Sequence, residues 1–579
     1  MQSSRSNTCL NAALLMVACG VLLPCAASAQ TGAQRTVWPD EGPATWAPRP
    51  TEPAITANDL RTHVYQLAAD SMMGRAAATR GDRMATDYVA SVFERLGLQP
   101  AGEDGYFQEI AFGPLSFDRD SVGLVVEGQR LDPGVDWAPF PASDASGITG
   151  DFSGGDVPTV FGGYWGDDSS PLSPEAMRDR VVVLLVPDTD IARQRGLSPE
   201  LQFRGTLIQS AGAAAVFLVV PADISGAAFQ ERVGLLPAVS SGIAVAQLTT
   251  GAAARLFDQP LSEIPVGAAG QAVSGTWRYA YDRPEYPARN VIAVLPGSDP
   301  LLRGEYVLVG AHNDHVGMIE GPPIDHDALR AFNRVMRPQG ANDRPGPPTP
   351  EQQASIDSLT AYARSIRPPR PDTVMNGADD DASGTAILMD IAERFATAPP
   401  PARSILFISH AAEEAGLLGS RYFTDNPTVA LDQVVAAHNM DMLGKGGVDN
   451  VKFGGPAQVQ MLGARRLSAE FGDVIDSLNA VREETMAIDY SWDRTNALNR
   501  FCRSDQVNYF RHTIPVTYFS TGYSLDYHQP TDEPQYVDYE HSARVGRFVY
   551  DIMRTIAERP TRLRVLPLEE RDMSAQCTR

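Results

Sequence analysis

The spacing of apolar and polar positions predicts two helices near the start of the ordered chain. The first begins at Asn58, where Asn58 or Asp59 can cap it, and its apolar residues recur every three or four positions. The second runs from Asp82 to Leu96 with the same period. Residues 30–54, which precede both, are rich in Pro, Thr and Trp without a clear period, and they predict an exposed leader.

Residues 116–285 have a different pattern, in which short β-like runs are separated by turns rich in Gly and Pro. The clearest runs are Val122 to Val126, Val181 to Val186 and Val216 to Val220, and one amphipathic segment covers Leu201 to Ala211. This stretch contains no His or Cys, so it cannot hold a typical zinc or nucleophile site. We predict an inserted β-rich module.

Apolar strands and helices alternate again after this module, which is typical of a layered α/β domain. Residues 321–372 interrupt the alternation with many Pro and Arg residues around a candidate helix, Pro350 to Ser365, and they predict a lid-like insertion. The predicted fold is α/β: a layered mixed-sheet domain over 55–115 and 286–560, with residues 561–579 as a tail. The predicted strands are Asn290 to Leu295, Tyr306 to Val309, Ile405 to Ile408, Val434 to Ala437 and Ile514 to Phe519, with a helix from Ser383.

The first 29 residues have the pattern of a secretory signal peptide. Arg5 precedes the apolar run Leu10 to Leu23, and the small-residue triplet Ala27-Ser28-Ala29 follows it. The run is too short for a comfortable membrane span, and no later stretch reaches the roughly 20 apolar residues that a span needs. We therefore predict an exported protein, periplasmic or secreted, without a transmembrane segment. A lipoprotein anchored at Cys19 is the less favoured alternative.

The net charge and the cysteine content limit which partners and which kind of scaffold the sequence allows. The formal net charge is −23, which disfavours nucleic acid and anionic membrane as partners. Three of the five cysteines lie in the predicted signal peptide. Cys502 and Cys577 remain, so a disulfide scaffold is excluded, while one bridge between them or two unlinked thiols are both open.

Candidate chemistry begins at the end of the strand that starts at Tyr306. This strand delivers His312 at its C-terminal end, where open α/β sheets place their sites. Asp314, two residues on, is placed to accept the other ring N–H of the histidine and so to fix its tautomer. A surface histidine beside an aspartate would give the same pattern, so this segment alone does not decide.

Two further acidic clusters follow along the chain. Asp379, Asp380 and Asp381 precede a helix, where they repel one another unless a cation lies among them, although a solvated charge run at a helix start is equally open. Glu413 and Glu414 follow a buried strand, so one can bind a metal while the other faces a bound water as a base.

The last two candidates are Asp441, among apolar neighbours after a strand, and His528, in a polar turn. An unpaired carboxylate among apolar residues would be costly, which favours a cation beside Asp441. Each motif is weak alone. Together the five motifs offer two histidines, three carboxylate ligands and a spare glutamate at strand ends, a set that matches a two-metal hydrolase.

The order of these motifs resembles that of the clan MH zinc peptidases, which include secreted bacterial leucyl aminopeptidases and glutamate carboxypeptidase II. The shared pattern is His-x-Asp, Gly-x-x-Asp-x-x-Ser-Gly, Glu-Glu-x-Gly-Leu-x-Gly-Ser, Asp-Met and a late His, over residues ~55–115 and ~288–560. The resemblance implies two Zn²⁺. It makes His312 and Asp441 ligands of one zinc, Glu414 and His528 ligands of the other, and Asp380 the bridging carboxylate.

The resemblance also implies catalytic roles. Glu413 matches the general base, Asp314 the residue that orients the first histidine, and Tyr527 a tyrosine that some members use to stabilise the oxyanion. The peptide bond Asp380-Asp381 matches a cis bond of the family. The module over 116–285 resembles a protease-associated domain.

The function that this resemblance implies is an exopeptidase, and most specifically an aminopeptidase that removes N-terminal residues with a metal-bound hydroxide. Its substrates would be peptides with a free N-terminus. A glutamate-carboxypeptidase-like activity stays open because Arg494, Arg500 and Arg503 could recognise a carboxylate. A single-zinc glutaminyl cyclase is more remote because His312 and Asp380 are both retained, and a non-catalytic, receptor-like scaffold is more remote because no ligand is missing.

Overall fold

The computed structural model describes residues 36–571 of the 579. It leaves out 111, 113–114, 117–122, 134, 140–147, 166–171, 187–211, 221–243, 258, 279, 282, 339, 344, 446–454, 456 and 494–499 within that span. The predicted signal peptide, the segment from Leu201 to Ala211, and Cys577 therefore lie outside the described residues. Cys502 lies within the described residues and is disulfide-bonded. Every other cysteine of the chain lies outside the described residues.

The elements carry labels in chain order. The α-helices are α1 (Ala57–Leu67), α2 (Arg80–Arg95), α3 (Pro174–Met177), α4 (Thr250–Ala253), α5 (His326–Met336), α6 (Pro350–Ile366), α7 (Ala382–Thr397), α8 (Leu418–Asp425), α9 (Ala469–Val481), α10 (Gln506–Arg511) and α11 (Tyr539–Ala557). The strands of the described residues up to Tyr281 are β1 (Gln99–Pro100), β2 (Phe107–Glu109), β3 (Leu115–Ser116), β4 (Gly123–Val126), β5 (Gln129–Leu131), β6 (Trp137–Pro139), β7 (Ile148–Tyr164), β8 (Val181–Leu185), β9 (Ala215–Val220), β10 (Ala244–Thr249), β11 (Ala269–Arg278) and β12 (Ala280–Tyr281). The later strands are β13 (Arg289–Leu295), β14 (Tyr306–His312), β15 (Ile324–Asp325), β16 (Pro371–Asp372), β17 (Ser404–His410), β18 (Val434–Met440), β19 (Gln458–Leu462), β20 (Ala487–Asp489) and β21 (Val516–Ser520).

A nine-stranded mixed sheet forms the larger layer, in the order β1-β13-β17-β14-β18-β21-β19-β20, with β2 paired to β13. β17, β14, β18 and β21 are mutually parallel, whereas β13 and β19 run antiparallel to their neighbours in this group. The register places His312 beside His410 and Ala311 beside Met440. The carboxyl ends of these strands therefore meet at one edge of the sheet, and the predicted α/β fold class is confirmed.

The central strands are buried on both faces, which explains their nearly continuous apolar sequence. In β14, Val307 and Val309 pack into the cluster that contains α1, α7 and α11, while Leu308 packs into the cluster on the opposite face. In β17, Phe407 and Leu406 alternate in the same way. This period of two is the geometry of a strand between two helical layers.

A separate eight-stranded sheet occupies the predicted β-rich module, in the order β5-β4-β11-β7-β8-β9-β10-β6. Its own apolar core includes Trp137, Phe161 and Phe217. The module's resemblance to a protease-associated domain stays a prediction.

Several boundaries differ from the predicted ones for identifiable reasons. α1 is capped by Thr56 rather than Asn58 or Asp59, because the Thr56 hydroxyl and the Asp59 carboxylate form a reciprocal capping box. α2 begins at Arg80 after the cap Thr79. The strands β14, β17 and β18 continue past their predicted ends. β14 includes His312, and β18 ends at Met440, directly before Asp441.

Two residues of the predicted leader pack against the predicted lid-like insertion. Val37 and Trp38 share an apolar cluster with residues of α5, α6 and Tyr536. Trp38 is 2% exposed, and its indole N–H donates to Asp327 at 3.0 Å. Within the predicted leader, Val37 and Trp38 are thus buried, whereas most of residues 42–54 are exposed, and the exposed leader and the lid-like insertion stay predictions. None of the helices in the described part of the chain combines the length and hydropathy of a membrane span.

Candidate metal centre

The turn before α7 joins three segments of the site. Asp381 caps α7 by accepting the N–H of Gly384 at 2.9 Å. Its carboxylate also accepts the N–H of Met442 at 3.1 Å and that of His312 at 3.3 Å. The peptide bond between Asp380 and Asp381 is cis. Asp381 thus ties the ends of β14 and β18 to the turn that carries Asp380.

Asp380 lies between two histidines. Its Oδ1 is 3.3 Å from Nε2 of His312, and its Oδ2 is 3.2 Å from Nε2 of His528. The two histidines are separated by more than two hundred residues in sequence. One carboxylate therefore presents one oxygen to each of two imidazoles, which is the arrangement expected of a bridging ligand.

The first group of side chains around Asp380 contains His312, Asp441 and Glu413. His312 Nε2 lies 3.5 Å from Asp441 Oδ1 and 4.0 Å from Glu413 Oε2. One ligand atom from each residue lies within 4.8 Å of the others, so the three could hold a metal ion. His312 and Asp441 were expected here as ligands, and Glu413 is close enough to either bind or act beside the ion.

The second group contains Asp380, Glu414, His528 and one residue that the sequence analysis did not assign. Glu414 Oε2 is 3.0 Å from Nε2 of His528. His315 Nδ1 is 2.8 Å from Glu414 Oε1 and 4.0 Å from Asp380 Oδ2. His315 follows His312 by three positions, and this spacing past a strand end was the only sequence signal for it.

Asp314 departs from its expected contact. Its carboxylate lies 3.7 Å from Nδ1 of His312, whereas its backbone carbonyl oxygen is closer at 3.2 Å. The carboxylate instead accepts the N–H of Glu413 at 3.0 Å and that of Glu414 at 3.3 Å. Asp314 therefore orients the two glutamates with its side chain, and its main chain faces the histidine.

Tyr527 lies against the second histidine. Its ring stacks on that of His528 at a centroid distance of 3.9 Å, and the centroid of the Tyr523 ring lies 4.8 Å from that of Tyr527. Burial, with added repulsion from Asp380 and Glu414, raises the pKa of Tyr527 well above its ordinary value. The phenol therefore keeps its proton at neutral pH and can serve as a hydrogen-bond donor.

The backbone is in the left-handed region at three places in or next to the site. Ala412 has φ 52°, Met442 has φ 60° and His528 has φ 53°. These residues flank or carry Glu413, Asp441 and the second histidine. Such conformations cost free energy in non-glycine residues, and they concentrate where a side chain must be held in a fixed direction.

The electrostatics of the site call for positive charge. Burial would raise the pKa of Asp380, but the imidazoles of His312 and His528 beside its two oxygens outweigh this effect and hold that pKa well below its usual range. Burial also raises the pKa of Glu413, and repulsion from Asp441 and Glu414 adds to the rise. The pKa of His528 is raised to about 10, since Asp380 and Glu414 outweigh the effect of burial.

Unpaired buried atoms agree with this need for cations. His312 Nε2, His528 Nε2 and Asp441 Oδ1 are buried and make no hydrogen bond. A buried polar atom without a partner is costly, and these three face the space between the carboxylates. Imidazole nitrogen and carboxylate oxygen are the donors that Zn²⁺ accepts. The residues present therefore fit a pair of zinc ions.

A buried network supports the Asp380 turn from behind. The Asp532 carboxylate accepts the N–H of Asp379 at 3.0 Å and that of Asp380 at 3.2 Å. Lys445, which is fully buried, lies 3.8 Å from Asp532 and 3.3 Å from Asp526. Asp526 and Asp532 flank His528 in sequence, so this lysine links the turn to the loop of the second histidine.

Arg75 supports the segment that carries His312 in a similar way. It is fully buried, and its guanidinium donates to the carbonyl oxygens of Asn313 and Gly377, each at 2.8 Å. These carbonyls belong to the segments that carry His312 and Asp380. Arg75 thus connects the two ligand-bearing loops through their main chains.

Residues 353–553 match the model of Peptidase family M28. That span contains Asp380, Glu413, Glu414, Asp441 and His528, whereas His312 and His315 of the same site precede it. The match spans 201 of the 579 residues, and over this part the chain is similar to Peptidase family M28. The match agrees with the expected class, a zinc metallopeptidase, whereas the roles of single residues stay predictions.

Comparisons with individual proteins give more limited likenesses. A probable zinc metalloprotease of Pyricularia oryzae is 43% identical over 68 residues, which are 12% of this chain and 13% of that protein. The alignment thus spans about an eighth of that relative's length.

Solved structures align over most of the chain at low identity. The aminopeptidase from Aneurinibacillus sp. strain AM-1 is 14% identical, with 89% of this chain and 97% of that chain covered and a TM-score of 0.42. BSAP, a zinc aminopeptidase from Bacillus subtilis, is 15% identical, with 91% and 100% covered and a TM-score of 0.42. A Peptidase M28 precursor from Shewanella amazonensis is 16% identical, with 88% and 100% covered and a TM-score of 0.38.

Proposed function

We propose that this protein is a two-zinc exopeptidase, and specifically an aminopeptidase that removes N-terminal residues from peptides. The observation that carries the proposal is the position of Asp380, whose two oxygens lie 3.3 and 3.2 Å from His312 and His528. A carboxylate in this position can bind one ion with each of its two oxygens. A single-zinc site would not need the second histidine so close to it.

The proposed ligands divide into two sets around this carboxylate. His312 and Asp441 would hold one zinc, Glu414 and His528 the other, and Asp380 both. Zn²⁺ polarises a carbonyl oxygen and lowers the pKa of water from 15.7 toward about 7.

His315 is assigned a positioning role in this proposal. Its Nδ1 lies 2.8 Å from Glu414 Oε1, so its N–H can donate to that oxygen while Oε2 of the same carboxylate faces His528. Partners that orient a ligand in this way are a regular part of metal sites.

Glu413 is the proposed general base. Its Oε2 lies 4.0 Å from His312 Nε2, where it can take a proton from a water beside the first ligand set. In the reaction it would take a proton from the attacking water at this oxygen and then deliver that proton to the leaving amine. Asp314 holds the Glu413 main chain, and Tyr527 would donate its phenol hydrogen to the oxyanion.

The preference for a free N-terminus follows from charge. A protonated or metal-facing α-amine is attracted by the carboxylates that converge here, whereas a blocked N-terminus offers them nothing. The net charge of −23 adds a general attraction for cationic groups.

A carboxypeptidase-like specificity is the second candidate, and Arg503 is the observation that favours it. Its side chain is exposed, and its guanidinium lies 5.0 Å from the Tyr523 ring, which packs on Tyr527. Arg500, in contrast, is 1% exposed and donates to Ser520, so it is committed to the core. Arg494 lies outside the described residues.

Export is a further part of the proposal, supported by the signal-peptide pattern of residues 1–29. The periplasm or the medium would be its destination. N-terminal sequencing of the protein recovered from cell fractions tests this, because export with cleavage yields a new terminus near residue 30. An uncleaved cytoplasmic product would contradict it.

The activity is tested with aminoacyl chromogenic amides, the same amides with a blocked N-terminus, and peptides read from the C-terminus. We expect cleavage of the free amides alone, its loss with a chelator and its return with Zn²⁺. Glu413→Gln is the matched control, since it keeps the side chain's shape. Cleavage confined to N-blocked substrates would remove the aminopeptidase assignment in favour of the second candidate.

A further inference from the structure

A third group of metal-ligand side chains lies outside the two zinc sets. It consists of His326, the first residue of α5, Asp372 at the end of β16, and Glu533 in the loop after His528. His326 is fully buried, and the side chains of Asp372 and Glu533 are 15% and 14% exposed. None of the three has a part in the proposed reaction.

The three side chains point one ligand atom each into a common space. His326 Nδ1 lies 3.1 Å from Glu533 Oε1 and 3.5 Å from Asp372 Oδ2. All three atoms lie within 4.8 Å of one another. Despite these approaches and its complete burial, Nδ1 makes no hydrogen bond.

The remaining polar atom of each side chain is already held by a neighbour. His326 Nε2 lies 3.1 Å from the Tyr536 hydroxyl, to which it can donate its hydrogen, and that leaves the lone pair on Nδ1. Asp372 Oδ1 accepts the N–H of Val374 at 3.0 Å. Fixing the outer atom of a ligand in this way sets the direction of the inner one.

Glu533 follows the same rule. Its Oε2 accepts from Arg370 at 3.5 Å and from the amide of Gln535, which leaves Oε1 for the common space. Arg370 also donates to the Tyr536 hydroxyl at 3.3 Å. The arginine therefore belongs to the outer ring of contacts rather than to the space between the ligand atoms.

We infer that His326, Asp372 and Glu533 form a third divalent-cation site, of the class that takes one imidazole nitrogen and two carboxylate oxygens, such as Zn²⁺. Unpaired buried nitrogens facing carboxylate oxygens mark His312 and His528 at the zinc sets, and His326 repeats that feature. Water would complete the coordination.

The position of this site gives it a structural task. His326 and Asp372 stand at the two ends of the insertion, where β15 and β16 pair. Glu533 follows Asp532, which accepts the main-chain N–H groups of the Asp380 turn. A bound ion would therefore close the base of the insertion and attach it to the loop that supports the catalytic turn. The competing arrangement is a protonated His326 that bridges the two carboxylates without metal.

Metal counting distinguishes the two arrangements. The mature protein is loaded with Zn²⁺, dialysed against buffer with micromolar free zinc, and analysed for zinc per chain. We expect three in the wild type and two in His326→Phe, which keeps the ring stacked on Tyr536. Asp372→Asn is the milder variant, and we expect its third zinc to bind at least tenfold more weakly. His541→Phe, a buried histidine outside every cluster, should retain three.

The outcomes separate this inference from the proposed function. Two zinc ions in both the wild type and His326→Phe would overturn the third site and leave the catalytic pair standing. One in the wild type and none in His326→Phe would uphold the third site and refute the catalytic pair. If the wild-type protein loses its third zinc ion during dialysis at micromolar free zinc, the result counts against the inference. Anomalous diffraction at the zinc edge, with a peak beside His326 expected, gives an independent reading.

Discussion

Arg75 offers the most direct test of how the site is held together. Its guanidinium donates to four carbonyl oxygens: Asn313 and Leu67 at 2.8 Å, Asn376 at 2.6 Å and Gly377 at 2.8 Å. Burial lowers the pKa of this arginine, and nearby carboxylates partly restore it. The charge is therefore retained in the interior by its neighbours, and four carbonyls depend on it.

The size of the effect follows from these bonds. A hydrogen bond to a charged group contributes about 1.5–3 kcal/mol, so four could contribute about 6–12 kcal/mol in Arg75→Met. The substitution also removes the desolvation penalty of the buried guanidinium, and this gain offsets part of the lost hydrogen-bond free energy. We expect a net loss of about 3–5 kcal/mol in the free energy of unfolding, as for other disrupted buried charge networks.

Urea unfolding of the zinc-free protein measures this loss, and zinc titration of the folded variant measures the second consequence. Because Asn313 and Gly377 adjoin the ligand segments, zinc affinity should also fall. Arg83→Met is the control: Arg83 is 43% exposed and pairs with Asp87 at 3.2 Å, a contact worth less than about 1 kcal/mol. A loss below about 1 kcal/mol in Arg75→Met, with unchanged zinc affinity, would refute the reasoning.

Three other predictions address the reaction, the bridge and the pH dependence. Glu413→Gln should retain both catalytic zinc ions but lose about 10²–10⁴ in kcat, measured by amide hydrolysis with metal analysis; loss of zinc would remove Glu413 from the base role. Asp380→Ala should lower affinity at both catalytic sites together, seen by calorimetric zinc titration, and an effect on one site alone would contradict bridging. His438, whose pKa burial lowers to about 3, stays neutral when folded but protonates near 6.5 when unfolded, so stability is lost as pH falls below about 6.5. His438→Gln should flatten that loss by up to about 1.4 kcal/mol per pH unit in urea unfolding of zinc-free protein, and an unchanged slope would count against it.

The sequence was sufficient for the parts of the fold that depend on local patterning. Apolar runs marked β14, β17, β18 and β21, because strands buried on both faces are predominantly apolar. The residues after those runs were then expected at one edge of the sheet. His312, Asp380 and His528 do lie within contact distance, although they are far apart in sequence.

Other features depend on directions that a sequence does not encode. Asp314 was expected to turn its carboxylate to His312, but that carboxylate accepts the N–H groups of the two glutamates and its carbonyl faces the ring. His315 was not assigned, because spacing alone does not tell which side of a strand end a residue takes. The group around His326 joins segments about 160 residues apart and follows no motif.

The packing of residues 37–41 has a consequence for truncation of the chain. Asp40 pairs with Arg330, Glu41 with Arg367, and Trp38 packs in an apolar cluster with the insertion. Removal of these residues would leave Arg330 with Asp526 and Arg367 with Asp327 as carboxylate partners, and it would expose the apolar surface under Trp38 to water. A chain that begins after Glu41 should therefore hold the insertion less firmly than one that begins before Val37.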